Sequence, residues 1–495
     1  MNRSYILAVD QGTSSTKTII FDEEGKAVVK ASEPLHTFYN GDFAEQDPES
    51  IYQNVLLSVK KCLEKFQESG QDVSTIKSCG ISNQRETFVV WDENGVPLYN
   101  AVVWQCKRSS AVCGRLKQEG LEDIIRSKTG LLIDPYFSGT KLIWLNENVE
   151  NVRRAISSGK AFFGTVDTWL LYRLSGGEHY FTDYTNASRT LFFNLSTLDW
   201  DTELLDIFGL TGLNLPDILP SSANFGAYDF NGIFPSSVPV NAIIGDSHAA
   251  AFGEGCFSPG TAKATLGTGC SILMNIGQEV KKSGSGMVST ICWSMENRTD
   301  YALEGVIVSC GATLEWLKNE LGLFNDSRQT EAMACAVDDT NDVYVIPAFS
   351  GLGAPHWDMG RKASITGITF GSNKNHIVRA ALESIAYQIK DVITAMEQDT
   401  GIELKELMVN GGITSNGFVL QFLSDLLQKP VINGGMPDVS ALGAAGLAGL
   451  KAGIYKDLSV LEKSAERKQI VYPNENEAAF VRYAGWKKAI SGGMN

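Results

Sequence analysis

Residues 242–271 read AIIGDSHAAAFGEGCFSPGTAKATLGTGCS. The apolar run 242–244 ends at Gly245-Asp246, the pattern of a buried strand that delivers a carboxylate at its end. Small residues at 249–251 suit a closely packed helix start, and a Thr-rich segment then leads into Gly267-Thr268-Gly269. A Gly-rich turn lets backbone N–H groups approach an anion closely, and Thr adds a hydroxyl donor. A carboxylate beside such a loop can take a proton or hold a metal ion. On its own the stretch reads equally well as a strand-capping Asp followed by an ordinary hairpin tip.

The N-terminus repeats the plan. Residues 5–10 form a buried strand, QGTSS at 11–15 a turn, and 17–22 and 26–31 two further strands of an antiparallel meander. The tip carries open N–H groups, the hydroxyls of Thr13, Ser14 and Ser15, and the cation of Lys17, which are the donors a phosphate needs. Asp10 at the strand end can hold Mg²⁺ through water. Residues 5–20 and 261–276 thus form a weak internal repeat, and two such tips facing one another would clamp a polyphosphate. The chain has no GxxxxGK[ST], and no GxGxxG opens a helix after a strand, so this is neither a P-loop nor a Rossmann site.

A chain of 495 residues is long enough for two or more domains, and 43% hydrophobic content supports a large core. A net charge of −15 disfavours nucleic-acid and anionic-membrane surfaces. Nine Cys without a CxxC fit reduced thiols in a cytoplasmic protein. The N-terminus lacks the apolar run of a signal peptide, and the apolar segment 441–450 falls short of the roughly 20 residues of a membrane span. The five His form no HExxH, so zinc is not expected, and without GxSxG an esterase has no support.

Elsewhere, Asp47-Pro48-Glu49 has the order of N-cap, N1 proline and early acid, opening a helix to about residue 66 with Ile51, Val55, Val59 and Leu63 inward. A strand at 76–82 delivers Arg85 and Glu86, a pair suited to hydroxyls if it faces a pocket. Strands are expected at 87–91 and 96–104, a helix opening after Tyr136, and an irregular polar turn at 183–189. A Pro-rich, charge-poor zone at 216–239 is expected to precede a domain boundary. The clearest helix is 376–396; Gly411-Gly412 and Asn416 follow a strand and open another. Residues 440–449 form a small-residue helix for close packing, and 482–495 are expected at the surface. His248 is expected to share Asp246's face of an extended segment.

Seven runs carry a further likeness: DQGTSSTK (10–17), SNQRET (82–87), AVVWQCKRS (101–109), IDPYFSGTKLIWL (133–145), TDYTNASRTLFFN (182–194), PAFSGLGAPHWD (347–358) and NHIVRAALESIAYQ (375–388). End to end, the chain resembles the FGGY family of carbohydrate kinases, and within it the branch that phosphorylates glycerol. The resemblance implies an α/β fold of two actin-like, ribonuclease H-like ATPase domains, residues 1–250 and 251–495, flanking a central cleft. It implies transfer of the ATP γ-phosphoryl group to a polyol with Mg²⁺. By motif position, Asp246 matches the general base. Arg85, Glu86, Trp104 and Tyr136 match acceptor contacts, joined by Ser247 and Ser271. Thr13, Ser14, Ser15, Lys17 and Thr268 match phosphate contacts; Gly311, Glu315, Gly412 and Asn416 match the rest of the nucleotide site. Asp10, with Asp246, matches the metal position. In that branch Gln typically follows the base and an aromatic residue follows GTGC. Here Ser247 and Ser271 stand instead, implying a roomier, more polar pocket and raising a longer polyol or a ketose as acceptor. An actin-like switch ATPase is the alternative from another class. A cytoplasmic homo-oligomer, dimer or tetramer, without nucleic-acid or membrane partners, completes the expectation.

Overall fold

The computed structural model describes residues 3–435, 438–459, 461 and 469–492. Strands β1 (Tyr5–Gln11), β2 (Ser15–Phe21) and β3 (Ala27–Pro34) form the expected antiparallel meander. Helix α1 (Pro48–Glu68) follows, with the Asp47 side chain accepting from the N–H groups of Glu49 and Ser50, and with Ile51, Val55, Val59 and Leu63 buried. The stripe covers the meander, so the cap fixes where the helix starts and the apolar spacing fixes how it lies. Strand β4 (Ile76–Asn83) runs parallel to β1, and β5 (Val238–Gly245) parallel to β4. The sheet order is β3-β2-β1-β4-β5, with a short strand at 227–228 beyond β5. A second six-stranded sheet, including Phe88–Trp91 and Ala161–Thr165, flanks it.

Helix α2 (Asp246–Gly253) leads out of β5 into β6 (Thr261–Leu266), β7 (Cys270–Gly277), β8 (Val288–Met295) and β9 (Arg298–Ile307). Helices α3 (Gly311–Asn319) and α4 (Lys374–Thr400), strand β10 (Glu406–Asn410), helix α5 (Gly417–Leu427), strand β11 (Val431–Asn433) and helix α6 (Val439–Lys451) complete the core of this half. The order β9-β7-β6-β10-β11 repeats the first sheet: a meander, then two parallel strands. The sequence repeat between the two tips is therefore one part of a duplicated sheet.

Helix α6 is wedged between the halves. It packs on β1, β4 and β5 and along α2, and its small residues permit that closeness. A Cβ on Gly80 of β4 would collide with the Ala444 carbonyl, and one on Gly443 with the Ala249 carbonyl. One apolar cluster joins Ile6 and Ala242 of the first sheet, Ala249 of α2, Ala444 and Leu447 of α6, and Leu273 and Met408 of the second sheet.

Some expectations need correction. Of residues 96–104 only Ala101–Val102 is strand; Pro97 makes an isolated antiparallel bridge with Trp91, and the pairing lapses over 98–100. Residues 183–189 are not irregular throughout: Asp183 caps a short helix, Tyr184–Ala187, and Asp183, Thr185, Asn186 and Arg189 are all buried. The Pro-rich zone is not wholly a linker, since β5 begins inside it and completes the first sheet. In the tail, Trp486 lies fully buried on the helix Glu477–Ser491, its Nε1 donating to Asp391; residues 493–495 lie outside the described residues.

Candidate active site

A cleft of about 450 Å³ is lined from both halves, by Asp10, Thr13, Lys17, Arg85, Glu86, Trp104, Tyr136, Asp246 and Ser247 on one side and by Lys263, Thr265, Ser271, Asn410 and Asp438 on the other. On its first wall the chain leaves β4 at Asn83 and turns sharply, with Glu86 in the left-handed region at φ 60°. A non-glycine residue held there is strained, and such strain collects at functional sites. The turn aims Arg85 and Glu86 inward. Arg85 Nη2 lies 3.0 Å from Glu304 Oε1 and 3.3 Å from the Tyr136 hydroxyl, and its Nε lies 3.5 Å from Asp246 Oδ1. Arg189 Nε donates to Glu86 Oε1 at 2.6 Å, and Arg189 Nη2 reaches Glu304 Oε2 at 2.8 Å. Two arginines and two glutamates thus alternate in sign within one buried network, where an unpaired charge would be costly. Burial alone would raise the Glu304 carboxyl, but Arg189 and Arg85 hold it far below the usual carboxylate range. Burial pushes the Tyr136 phenol up, so it remains a donor.

Second-layer contacts hold this wall. Ser138 Oγ donates to the Glu86 carbonyl at 2.9 Å, and the buried Lys141 ammonium donates to the Tyr136 carbonyl at 2.6 Å; burial draws that lysine down to about 8. Trp104 Nε1 donates to Thr13 Oγ1 at 2.8 Å, and its ring stands edge-on to Tyr136.

Asp246 opens α2, with its side chain 40% exposed toward the cleft. Gly245 before it has no room for a side chain: a Cβ would lie 2.7 Å from Arg85 Cγ. The Gly245 N–H donates to Thr185 Oγ1 at 2.8 Å, and that hydroxyl is bonded to the Asp183 carboxylate, so the buried 183–189 segment anchors the strand end bearing Asp246. The segment 246–248 is helical, not extended, so His248 does not share Asp246's face. His248 is fully buried beside Thr290, and burial pushes its imidazole well below the usual value, leaving it neutral.

Asp10 accepts from Ser82 Oγ at 2.8 Å; burial, with the Asp246 charge as a lesser cause, pushes its carboxyl up to about 6. Lys17 reaches Asp438 at 3.1 Å, across 421 residues of chain. Ser14 and Ser15 close the tip through their carbonyls, which accept from Leu35 and Gly12. In the other half the 267–269 tip meets the start of α3. The Gly311 N–H donates to the Gly267 carbonyl at 2.9 Å, and those of Cys310 and Ala312 to the Thr268 carbonyl. Gly411, at φ 101°, packs on the Leu266 backbone, while Gly412 faces open space. Three Gly-bearing loops therefore converge beside β6. Asn416 caps α5 through Oδ1 and donates Nδ2 to Thr330, and Glu315 sits exposed on α3, paired with Lys318. Thr268, Gly311, Glu315, Gly412 and Asn416 form a group apart from the cleft wall described above.

Glu304, Arg189 and Lys263 were not singled out as site residues. The available signal was a lone charge inside an apolar strand, in YALEGVIV for Glu304 and TAKATL for Lys263. For a metal, Asp10 and Asp246 offer two carboxylates on one cleft, and among the described residues no cluster of three or more His, Cys, Asp or Glu occurs. That donor set fits Mg²⁺, which usually takes one or two carboxylates and fills its octahedron with water and phosphate oxygens.

Residues 5–253 match the FGGY family of carbohydrate kinases, N-terminal domain, and residues 262–452 match its C-terminal domain. The chain belongs to the FGGY family of carbohydrate kinases. This FGGY kinase is 44% identical over 493 residues to the glycerol kinase of Thermoanaerobacter sp. (strain X514), covering 99% of this chain and 98% of that one. It is 44% identical over 490 residues to glycerol kinase 2 of Thermotoga maritima, covering 98% of each. The crystal structure of Plasmodium falciparum glycerol kinase with ADP superposes with a TM-score of 0.95 at 34% identity, covering 100% of this chain and 99% of that one. The fold is accordingly the two-domain, actin-like ATPase arrangement of FGGY kinases, with the duplicated sheets as its two cores. Among the described residues no helix is long and apolar enough to cross a membrane.

Proposed function

We propose that this kinase transfers the γ-phosphoryl group of ATP to a primary hydroxyl of glycerol, giving glycerol 3-phosphate and ADP. The observation that carries the reading is one cleft whose lining brings Arg85, Glu86, Tyr136 and Asp246 together with the tip residues Thr13 and Lys17. Arg85 and Tyr136 donate to acceptor hydroxyls and Glu86 accepts from them. Asp246 takes the proton of the attacking hydroxyl as its oxygen bonds to phosphorus and the bond to ADP breaks. Thr13, Ser14, Ser15 and Lys17 face the phosphates from one domain, Thr268 and Gly311 from the other; Gly412, Asn416 and Glu315 border the remainder of the nucleotide. Asp10 and Asp246 would hold Mg²⁺, whose chemistry here is neutralisation of phosphate charge. In this reading residues 1–250 and 251–495 are the two domains, and their approach excludes water as a competing acceptor. A switch ATPase would leave the acceptor-side residues idle.

A longer polyol or a ketose is the second reading. It is favoured by two small side chains, Ser247 and Ser271, on a cleft floor where Lys263 and Thr265 supply further polar contacts. Cytoplasmic location and a homo-oligomer belong to the same proposal; exposed Met359, Ile368 and Phe370 offer apolar surface for self-contact, and light scattering measures the state. The deciding experiment is ADP release with Mg-ATP against glycerol, dihydroxyacetone, erythritol, xylitol and pentuloses. The highest kcat/KM for glycerol upholds the first reading, and for a four- or five-carbon acceptor the second. ADP release indifferent to every acceptor favours the switch ATPase.

A further inference from the structure

Lys263 is a buried cation that the mechanism above does not use. Its strand register places it on the same sheet face as its neighbours in the cleft: Thr265 pairs with Ser271, Lys263 with Leu273, and Leu273 with Glu304. The residue is 1% exposed, yet it lines the cleft. Its Nζ donates to Ser247 Oγ at 2.6 Å and to Thr265 Oγ1 at 3.1 Å. Both partners are neutral hydroxyls, and an ammonium carries three donors. The other cations of the cleft are committed to carboxylates, Arg85 to Glu304 and Lys17 to Asp438. Burying an ammonium against hydroxyls is unfavourable unless another charge answers it. Glu254, Glu304 and Asp246 favour the charged form, Arg85 opposes it, and burial draws the lysine below its ordinary value. Asp246 lies one residue from the Ser247 hydroxyl that Lys263 holds, and the Ser247 N–H donates to Asp246 Oδ1 at 2.6 Å. Ser247 thus links the two, its hydroxyl on the ammonium and its N–H on the carboxylate that receives the acceptor's proton.

We propose that Lys263 binds the oxygens of the phosphoryl group in flight, a catalytic contact that rests on the kinase reading above. As the acceptor oxygen bonds to phosphorus and the bond to ADP breaks, the acceptor's proton passes to Asp246. Lys263 keeps its own protons throughout and offers an N–H to the equatorial oxygens, where charge gathers.

The test begins with the full-length wild-type chain, because acceptor-dependent ADP release must be present for the kinase reading to stand. Lys263→Met removes charge and donors together. Lys263→Gln removes the charge and keeps donors for Ser247 and Thr265. In both, kcat is expected to fall roughly 10²- to 10³-fold, as on loss of one transition-state donor. KM for acceptor and for ATP should stay within about threefold, because the lost contact forms only in the transition state. Binding of ADP with aluminium fluoride and acceptor should weaken, while binding of ADP alone should not. Saturable rescue of Lys263→Ala by methylammonium would support the contact even if one bulkier variant fails to fold. Full kcat in folded Lys263→Gln, or a loss confined to acceptor KM, would overturn the proposal while leaving the kinase reading intact.

Discussion

Arg85 and Glu304 stand 3.0 Å apart across 219 residues of sequence, one on the turn after β4 and the other inside β9. This wall of the cleft is therefore assembled from both halves of the chain. Removing one member of a buried pair leaves an uncompensated charge, costing about 3–5 kcal/mol where the pair is fully enclosed. Glu304→Gln is expected to lower Tm and to raise acceptor KM by about tenfold or more, with ATP KM little changed, because Arg85 loses the carboxylate that orients it. Steady-state kinetics with each substrate varied in turn checks this; equal changes in both KM values would sink it.

Asp246→Asn keeps the shape of the side chain and the start of α2 but cannot accept the hydroxyl proton. The expected loss in kcat is roughly 10²- to 10⁴-fold, with the affinity for metal-free ADP by calorimetry unchanged. A variant that retains most of its turnover would remove Asp246 from the role of base.

Gly311 sits where α3 meets the 267–269 tip, and a Cβ there would lie 2.7 Å from the Gly267 carbonyl. Gly311→Ala must push the two loops apart. It should therefore raise ATP KM more than acceptor KM, and an unchanged ATP KM would show that the junction tolerates the shift.

Asp167 offers a test by pH. Its carboxyl is fully buried; Oδ2 accepts from Thr182 Oγ1 at 2.7 Å, Oδ1 has no hydrogen-bond partner among the described residues, and burial pushes the group up from 3.8 to about 7. The folded state thus holds this proton more tightly than the unfolded state. Its contribution to stability is full below pH 3.8 and is lost as pH rises through about 7. Asp167→Asn should accordingly raise Tm at pH 8, on the order of 1–3 kcal/mol of stabilisation, with the gap closing toward pH 5. A gap independent of pH would assign the effect to packing instead.

Ser271 shares a sheet face with Thr265, and its hydroxyl lies 3.3 Å from Glu304 Oε1. Ser271→Phe should fill that part of the floor and cost a five-carbon acceptor more kcat/KM than glycerol. Equal losses on the two acceptors would mean that this corner does not read chain length.

What the sequence revealed follows the reach of its signals. The Asp47 cap, the two tips and the Asp246 strand end each declare themselves within a few residues, and the structure has all of them. The turn chemistry of DYTNASR was legible too, since Asp183 does accept from the Thr185 and Asn186 N–H groups. Its burial was not, because the cover comes from distant strands, and a polar segment whose donors are satisfied locally looks the same in water as in a core. Arg189 and Glu304 escaped for a related reason. Their partners lie 103 and 219 residues away, and no local periodicity encodes such a pairing. Over 96–104, apolar residues suggested a strand, but pairing lapses between the Pro97–Trp91 bridge and Ala101, a break set by the chain's path and not by its apolar pattern.

Helix α6 also bears on how the protein is made. It covers β1, β4 and β5, strands finished by residue 245, yet its own residues emerge roughly 200 positions later. At about 5–20 residues per second on the ribosome, the first sheet waits some 10–40 s for its cover. During that interval the face around Ile6, Ala8 and Ala242 lies bare, a surface for a chaperone to hold or for a neighbouring nascent chain to join.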